Sequence, residues 1–227
     1  MRTALSLDAR HSALLLVDFQ EEQRRHALYS VAGFERVIGN ARLLLGAARS
    51  SGLTVVHTAY RRDFKRCPPR PFEPLAEGGA AAFSDATDPL TAICTELAPV
   101  DGETVIYKND ASAFSEAGLR DALLARDARW LIVAGVWTEA CVAATVRDAI
   151  AGGFRVLLVK DACGSGTEAM HQTAVLNLAN RLYGGAVCDT AAGLRLIAGD
   201  MVEVWMPERP VPILFNYADA AELYRDL

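Results

Sequence analysis

The sequence has little that suits nucleic acid and nothing long enough to span a bilayer. Its net charge is −5 and no basic stripe stands out, which argues against a nucleic-acid partner. No apolar run approaches the roughly 18–20 residues a transmembrane helix needs, so no membrane partner is expected. The first sixteen residues lack the charged-then-apolar layout and small-residue cleavage site of a secretory leader, and a cytoplasmic protein is expected. There are five cysteines, Cys67, Cys94, Cys141, Cys163 and Cys188, an odd number with no CxxC pair. That argues against a disulfide framework and a structural zinc site, and leaves reduced thiols, one of them available for catalysis. No GxGxxG element follows the first apolar run, which disfavours a dinucleotide enzyme. Gly164-Ser165-Gly166-Thr167 lacks the Lys and the spacing of a phosphate-binding loop and reads as a turn. His11, His26 and His57 have no metal-ligand spacing, and His171 falls inside an apolar helical pattern where a structural hydrogen bond is its expected role.

What is present is an alternation of short apolar runs and helical stretches. Hydrophobic residues make up 52% of 227, enough for one large domain with a substantial core. Strands are expected at 13–17, 53–57, 104–107, 130–134, 154–159 and 186–188. Helices are expected at 34–49, 116–126, 139–151, 167–183 and 190–197, with a short one over 89–97. Continuous rather than alternating apolar strands indicate burial on both faces. Strand–helix alternation indicates a parallel sheet with right-handed crossovers. The expected fold is therefore α/β: a three-layer αβα domain over 1–199, built on one six-stranded, mainly parallel sheet with helices on both faces. Residues 61–88, with Pro68, Pro69, Pro71, Pro74 and Gly78-Gly79, form a loop long enough to suggest a lid or binding element. Residues 200–227, with Pro207, Pro210 and Pro212, break the pattern and suggest an extended arm packing on the domain or on a neighbouring subunit.

Sheets of this kind carry their functional groups at the carboxyl ends of the strands. Asp18 directly follows the first expected strand, Lys108 the third, and Cys141 lies in the first turn or so of the helix after the fourth. Each type alone has an ordinary structural explanation: a core thiol, a turn carboxylate, a solvated amine. Together they make a coherent chemistry if the three strands are central neighbours. A helix N-terminus and a nearby ammonium favour the thiolate. Asp18 would take the thiol proton and pass it to a departing amine, and Lys108 would hold Asp18 ionised. Backbone N–H groups of Ala140 and Cys141 would receive the developing oxyanion.

The segment Gly135-Val136-Trp137-Thr138-Glu139-Ala140-Cys141-Val142, continuing through Thr145, Ala149, Gly153-Phe154 and Val159 to Asp161-Ala162, resembles the nucleophile signature of the isochorismatase-like cysteine hydrolases. Leu15-Leu16-Val17-Asp18-Phe19-Gln20 is similar to their first-strand motif, and Lys108-Asn109-Asp110-Ala111-Ser112-Ala113-Phe114 to their Lys-x-x-x-Ser-Ala-Phe motif. The likeness runs over about 13–197 in the family's order. It implies a Rossmann-like, isochorismatase-like fold and a catalytic triad of Asp18, Lys108 and Cys141. It also implies a cis peptide between Val136 and Trp137, a homo-oligomer (dimer or tetramer), and pocket-shaping roles for Phe19, Ser112 and Phe114.

Two departures from the family refine the expectation. The Asp-x-His element by which nicotinamidases hold a metal is absent after the second strand, where His57-Thr58-Ala59-Tyr60-Arg61-Arg62-Asp63 stands. No catalytic metal and no other cofactor is therefore expected. True isochorismatases lack the nucleophilic cysteine, so Cys141 favours amide over vinyl-ether hydrolysis. The expected function is cleavage of a C–N bond in a small linear amide or ureido compound, releasing ammonia through a thioester acyl-enzyme. Vinyl-ether hydrolysis and a non-catalytic binding protein that keeps the fold are the alternatives. Arg61, Arg62 and Lys65 are candidates to clamp a substrate carboxylate, since a guanidinium fork matches that group. Trp137 is a candidate to wall the pocket by stacking, and Gln20 is a supporting residue that hydrogen-bonds nearby backbone.

Overall fold

In the first central strand, Ala13, Leu15 and Val17 turn to one core and Leu14 and Leu16 to the other, and none is more than 2% exposed. A strand sealed on both sides needs a helix layer above and below, and the rest of the chain supplies them. The computed structural model describes all 227 residues. In chain order the strands are β1 (Arg2–Leu5), β2 (Ser12–Val17), β3 (Thr54–Tyr60), β4 (Thr104–Lys108), β5 (Trp130–Val136), β6 (Arg155–Gly164), β7 (Ala186–Cys188) and β8 (Val202–Trp205). The helices are α1 (Glu22–Arg25), α2 (Phe34–Ser50), α3 (Ala117–Leu124), α4 (Ala143–Ala151), α5 (Glu168–Ala179), α6 (Thr190–Ile197) and α7 (Ala220–Asp226). Helices α2 and α6 cover one face of the sheet, and α3, α4 and α5 the other. The expected three-layer αβα architecture is present. No helix is long and apolar enough to cross a membrane.

The sheet runs β1-β8-β7-β6-β5-β2-β3-β4, with β2 to β7 parallel. It has eight strands, not the expected six. The two extra strands, β1 and β8, pair antiparallel at one edge, Arg2 opposite Trp205 and Leu5 opposite Val202. They are four residues long and half-exposed, with Val202 and Val204 buried and Glu203 outside. Such a strand reads as alternation rather than as an apolar run, which is why it escapes the criterion that finds the central ones. Residues 200–227 are therefore not all an extended arm. They add a strand to the same sheet, pass the three prolines, and end in α7 against α5, where Ala220 and Leu227 are buried. The expected helix over 89–97 is two separate 3-10 turns, Pro89–Thr91 and Thr95–Leu97.

The chain reverses its direction of travel across the sheet between β2 and β5, so the crevice at their carboxyl ends is the site this topology offers a ligand. Gly135 lets the two strands close up there. A Cβ on it would lie 2.5 Å from Val17 Cβ and from Val17 O, and its φ is +156°.

Candidate active site

Asp18 is the first residue beyond β2 and takes a left-handed backbone (φ 56°), which short polar side chains tolerate better than most. Its N–H donates to Thr58 O (3.2 Å) and its carbonyl accepts from Gln20 N–H (3.0 Å), so the turn is fixed from both sides. The carboxylate is 2% exposed. Thr58 donates its hydroxyl to Oδ1 at 2.7 Å, and Lys108 Nζ lies 2.7 Å from Oδ2.

Lys108 ends β4, but β4 is not a neighbour of β2, because β3 lies between them at the sheet edge. The three functional strands are therefore not consecutive, as the sequence reading supposed. The lysine spans the gap with its long side chain, passing Tyr60 of β3 with Nζ 4.9 Å from the ring centre. It is fully buried and also donates to Asp110 O (3.1 Å) and Ala111 O (2.8 Å). Burial is the largest influence and works against the ammonium, but the charges and hydrogen-bonding groups of Asp18 and Cys141 together outweigh it and hold the Lys108 pKa above the ordinary lysine value.

Cys141 lies in a π-helical turn, Thr138–Val142, that joins β5 to α4. The Val136–Trp137 peptide just before it is cis. Burial pushes the Cys141 thiol up, the charge of Asp18 adds to that, and Lys108 opposes both. Burial and the Asp18 charge thus favour a neutral S–H, against the thiolate that a helix N-terminus and an ammonium alone would favour. Ala140 N–H donates to Trp137 O at 3.1 Å, so one of the two amides expected to receive an oxyanion is already engaged.

A cavity of about 230 Å³ joins Asp18 and Cys141. Asp18, Val136, Ala140 and Cys141 form its strand-end side, and Gln23, Tyr29, Tyr60, Phe83 and Trp137 the rest. Trp137 walls it as expected, with its Nε1–H donating to Gln23 Oε1 at 2.7 Å. Gly166 packs against the indole, where a Cβ would come within 3.1 Å. Tyr60 stacks on Phe83 with ring centres 5.7 Å apart, and Phe83 meets Tyr29 edge-on at 4.7 Å. Of the residues sequence reasoning missed, Tyr60 could have been found, since it ends β3 by the rule that picked out Asp18 and Lys108. Gln23, Tyr29 and Phe83 come from α1 and from loops, and carry no positional signal.

Several of the expected substrate-binding residues do not line the cavity. Phe19 is 1% exposed and packs with Phe34 in the core beneath α2. Gln20 is fully buried: Nε2 donates to Tyr60 O (3.0 Å) and Thr91 O (2.8 Å), and Oε1 accepts from Tyr60 N–H (2.8 Å). It supports the end of β3 and touches no ligand space. Ser112 caps the 3-10 turn Ala113–Ser115 through Phe114 N–H (3.2 Å), and Phe114 packs on Phe154. Arg61 donates to Ala86 O (2.6 Å), and its guanidinium lies over Tyr107, away from the cavity. Arg62 is buried and locked two-pronged onto Glu73, Nε to Oε1 and Nη2 to Oε2 at 2.7 Å each. Lys65 is exposed on the loop and does not line the cavity. The expected carboxylate clamp is therefore absent. Arg62 pins the 61–88 loop instead, and Ser84 pins its far end by donating N–H (3.1 Å) and hydroxyl (2.5 Å) to buried Glu22.

His171 has the structural role expected of it. Thr138 donates its hydroxyl to Gly164 O (2.9 Å), so His171 Nδ1–H must donate to Thr138 Oγ1 (2.8 Å), and Nε2 accepts from the Tyr224 hydroxyl (3.0 Å). Burial pushes the imidazole down to about 4, which keeps it neutral. Glu21, Cys94 and Glu96 approach one another closely enough to hold a cation, but Arg24 already bridges Glu21 and Glu96. A larger hollow of about 790 Å³, between α2, α5 and α7, contains none of the triad candidates.

The chain is 33% identical over 204 residues to the maleamate amidohydrolase of Pseudomonas putida, covering 84% of this chain and 90% of that one. It is 33% identical over 162 residues to an N-carbamoylsarcosine amidase of Arthrobacter, covering 67% and 59%. A cysteine hydrolase from Pseudomonas syringae pv. phaseolicola shares its fold, with a TM-score of 0.76 over 86% of this chain and 95% of that one at 20% identity. The family model described as the isochorismatase domain matches residues 12–192. As its three motifs implied, the chain belongs to the isochorismatase family of hydrolases.

Proposed function

We propose that this protein is a cysteine amidohydrolase that cleaves a C–N bond of a small amide or ureido compound and releases ammonia. The observation that carries the reading is convergence. Asp18 and Cys141 line one cavity, and the ammonium of Lys108 lies 2.7 Å from the Asp18 carboxylate. The amidohydrolase names of the relatives support the same reaction class.

As the Cys141 sulfur attacks the substrate carbonyl, its proton passes to Asp18 and the carbonyl oxygen becomes an oxyanion held by the Cys141 N–H. Collapse breaks the C–N bond, and Asp18 returns the proton to the departing nitrogen. A thioester remains on Cys141. Water attacks it with Asp18 again as base, the C–S bond breaks, Asp18 returns the proton to the Cys141 sulfur, and the acid departs. Lys108 neutralises Asp18 in each resting state and so lets a buried carboxylate act as base without a desolvated net charge. Holding the thiol neutral until substrate arrives fits a site where base and nucleophile are adjacent. The chemistry calls on no metal or cofactor. Five unpaired cysteines suit a reducing, cytoplasmic setting, and the family resemblance supports a homo-oligomer.

The test is an ammonia-release screen over biuret, ureido acids, carbamoyl amino acids, maleamate and nicotinamide, with intact-mass detection of an acyl adduct on Cys141. Cys141→Ala should abolish both signals. Ammonia release that survives Cys141→Ala would refute the thioester route; the vinyl-ether alternative would show instead as turnover of an enol-ether substrate, without ammonia, that Cys141→Ala leaves intact.

A further inference from the structure

Trp137 carries a donor and no acceptor, so the Gln23 amide must turn its oxygen to the indole and its nitrogen away. Gln23 is 3% exposed, lines the cavity, and its Nε2 makes no hydrogen bond within the protein. Two N–H donors are thus fixed at the wall of a space otherwise faced by Tyr29, Tyr60, Phe83 and Trp137. No cationic side chain lines that space. Lys108 is committed to Asp18 and two carbonyls, Arg62 to Glu73 and Arg61 to Ala86 O. A substrate carboxylate would be desolvated in that space without a counter-ion of its own, which is costly. A neutral carbonyl oxygen matches an amide N–H and planar faces match aromatic rings. The volume, about 230 Å³, is that of on the order of eight waters.

Resting on the amidohydrolase reading, we infer that the site takes a small, planar, uncharged amide bearing a second carbonyl, and that Gln23 Nε2 is the specificity-determining donor to that carbonyl. A site built to satisfy one polar group discriminates against analogues that cannot pair with it.

The probes are maleamide, an uncharged diamide, and maleamate, in which a carboxylate replaces one amide. Wild type should show at least a tenfold higher kcat/KM for maleamide. Gln23→Glu keeps an oxygen for the Trp137 indole but removes both donors. It should lower kcat/KM for maleamide at least tenfold, mainly through KM, while the thermal midpoint stays put. Gln23→Met, which removes the donors without adding a charge, should also raise KM for maleamide at least tenfold while kcat changes little, a split that loss of a merely structural contact would not give. Binding of both probes to Cys141→Ala by calorimetry separates this inference from the reaction itself. If wild type releases no ammonia, the amidohydrolase reading fails, and the inference still stands on tighter maleamide binding that Gln23→Glu removes in the Cys141→Ala background. Equal or preferred use of maleamate, a maleamide KM unmoved by Gln23→Glu or Gln23→Met, or no binding of maleamide would overturn it.

Discussion

Two buried ion pairs stand at the ends of neighbouring strands, and they differ in how fully they are satisfied. Beyond β3, Arg62 grips Glu73 two-pronged, so both carboxylate oxygens are taken and the pair closes on itself. At the end of β4, Thr58 donates to one oxygen of Asp18, while the other has the Lys108 ammonium 2.7 Å away but accepts no hydrogen bond. The first pair has nothing left to offer, and it ties a proline-rich loop to the body. The second retains capacity, and it faces a thiol across a cavity. Burial of charge does not by itself mark a catalytic group; an incompletely paired carboxylate beside a nucleophile does.

Removing the cations should separate the two roles. Lys108→Met should lower turnover at least about a thousandfold and also destabilise the fold by roughly 3–5 kcal/mol, because it strands the Asp18 charge in the interior. Adding Asp18→Asn should recover much of the stability and none of the turnover, read by denaturant melts and ammonia release. Arg62→Met should cost a similar roughly 3–5 kcal/mol but leave kcat within about tenfold, and adding Glu73→Gln should restore both. If Arg62→Met stops turnover while the fold holds, the distinction between the pairs collapses.

A third buried charge-capable group adds a pH axis. His171 is neutral in the fold with its pKa pushed down to about 4 by burial, against about 6.5 for a free imidazole. Between those values the unfolded chain binds a proton that the native chain refuses. The stabilisation is therefore fully present above pH 6.5 and lost as pH falls towards 4, by about 3 kcal/mol in all. His171→Gln should flatten that part of the stability–pH curve. The donor chain from Tyr224 to Gly164 O predicts accompanying loss of order in α7, visible as faster hydrogen exchange there.

The central strands and the three strand-end groups were legible because each strand is a continuous apolar run that stops at a polar residue. β1 and β8 were not, since short half-exposed edge strands look like any polar–apolar alternation. Strand order was also hidden. Lys108 follows an edge strand and reaches its partner across β3, a route that no spacing in the sequence reveals. Adjacency in sequence misled at Phe19 and Phe114, which flank the candidate triad or share a motif with it yet turn into the core. Arg62 looked free because its partner, Glu73, lies inside an irregular loop where no periodicity pairs residues.

Lys65 supplies the smallest and sharpest test of the comparison. It is the one member of the expected clamp with an exposed side chain; its backbone N–H is tied to Asp63 Oδ1 at 3.0 Å while the ammonium lies outside the cavity. An exposed cation that pairs with nothing contributes little to a fold, so Lys65→Ala should shift stability by no more than about 0.5 kcal/mol. If catalysis depends on the incompletely paired Asp18 and not on positive charge gathered near the mouth, kcat/KM should also stay within about twofold of wild type at low ionic strength, where screening is weakest. A tenfold loss confined to anionic substrates would mean that the 61–88 loop brings Lys65 over the cavity during turnover, and the charge of the site would then have to be counted with the loop closed.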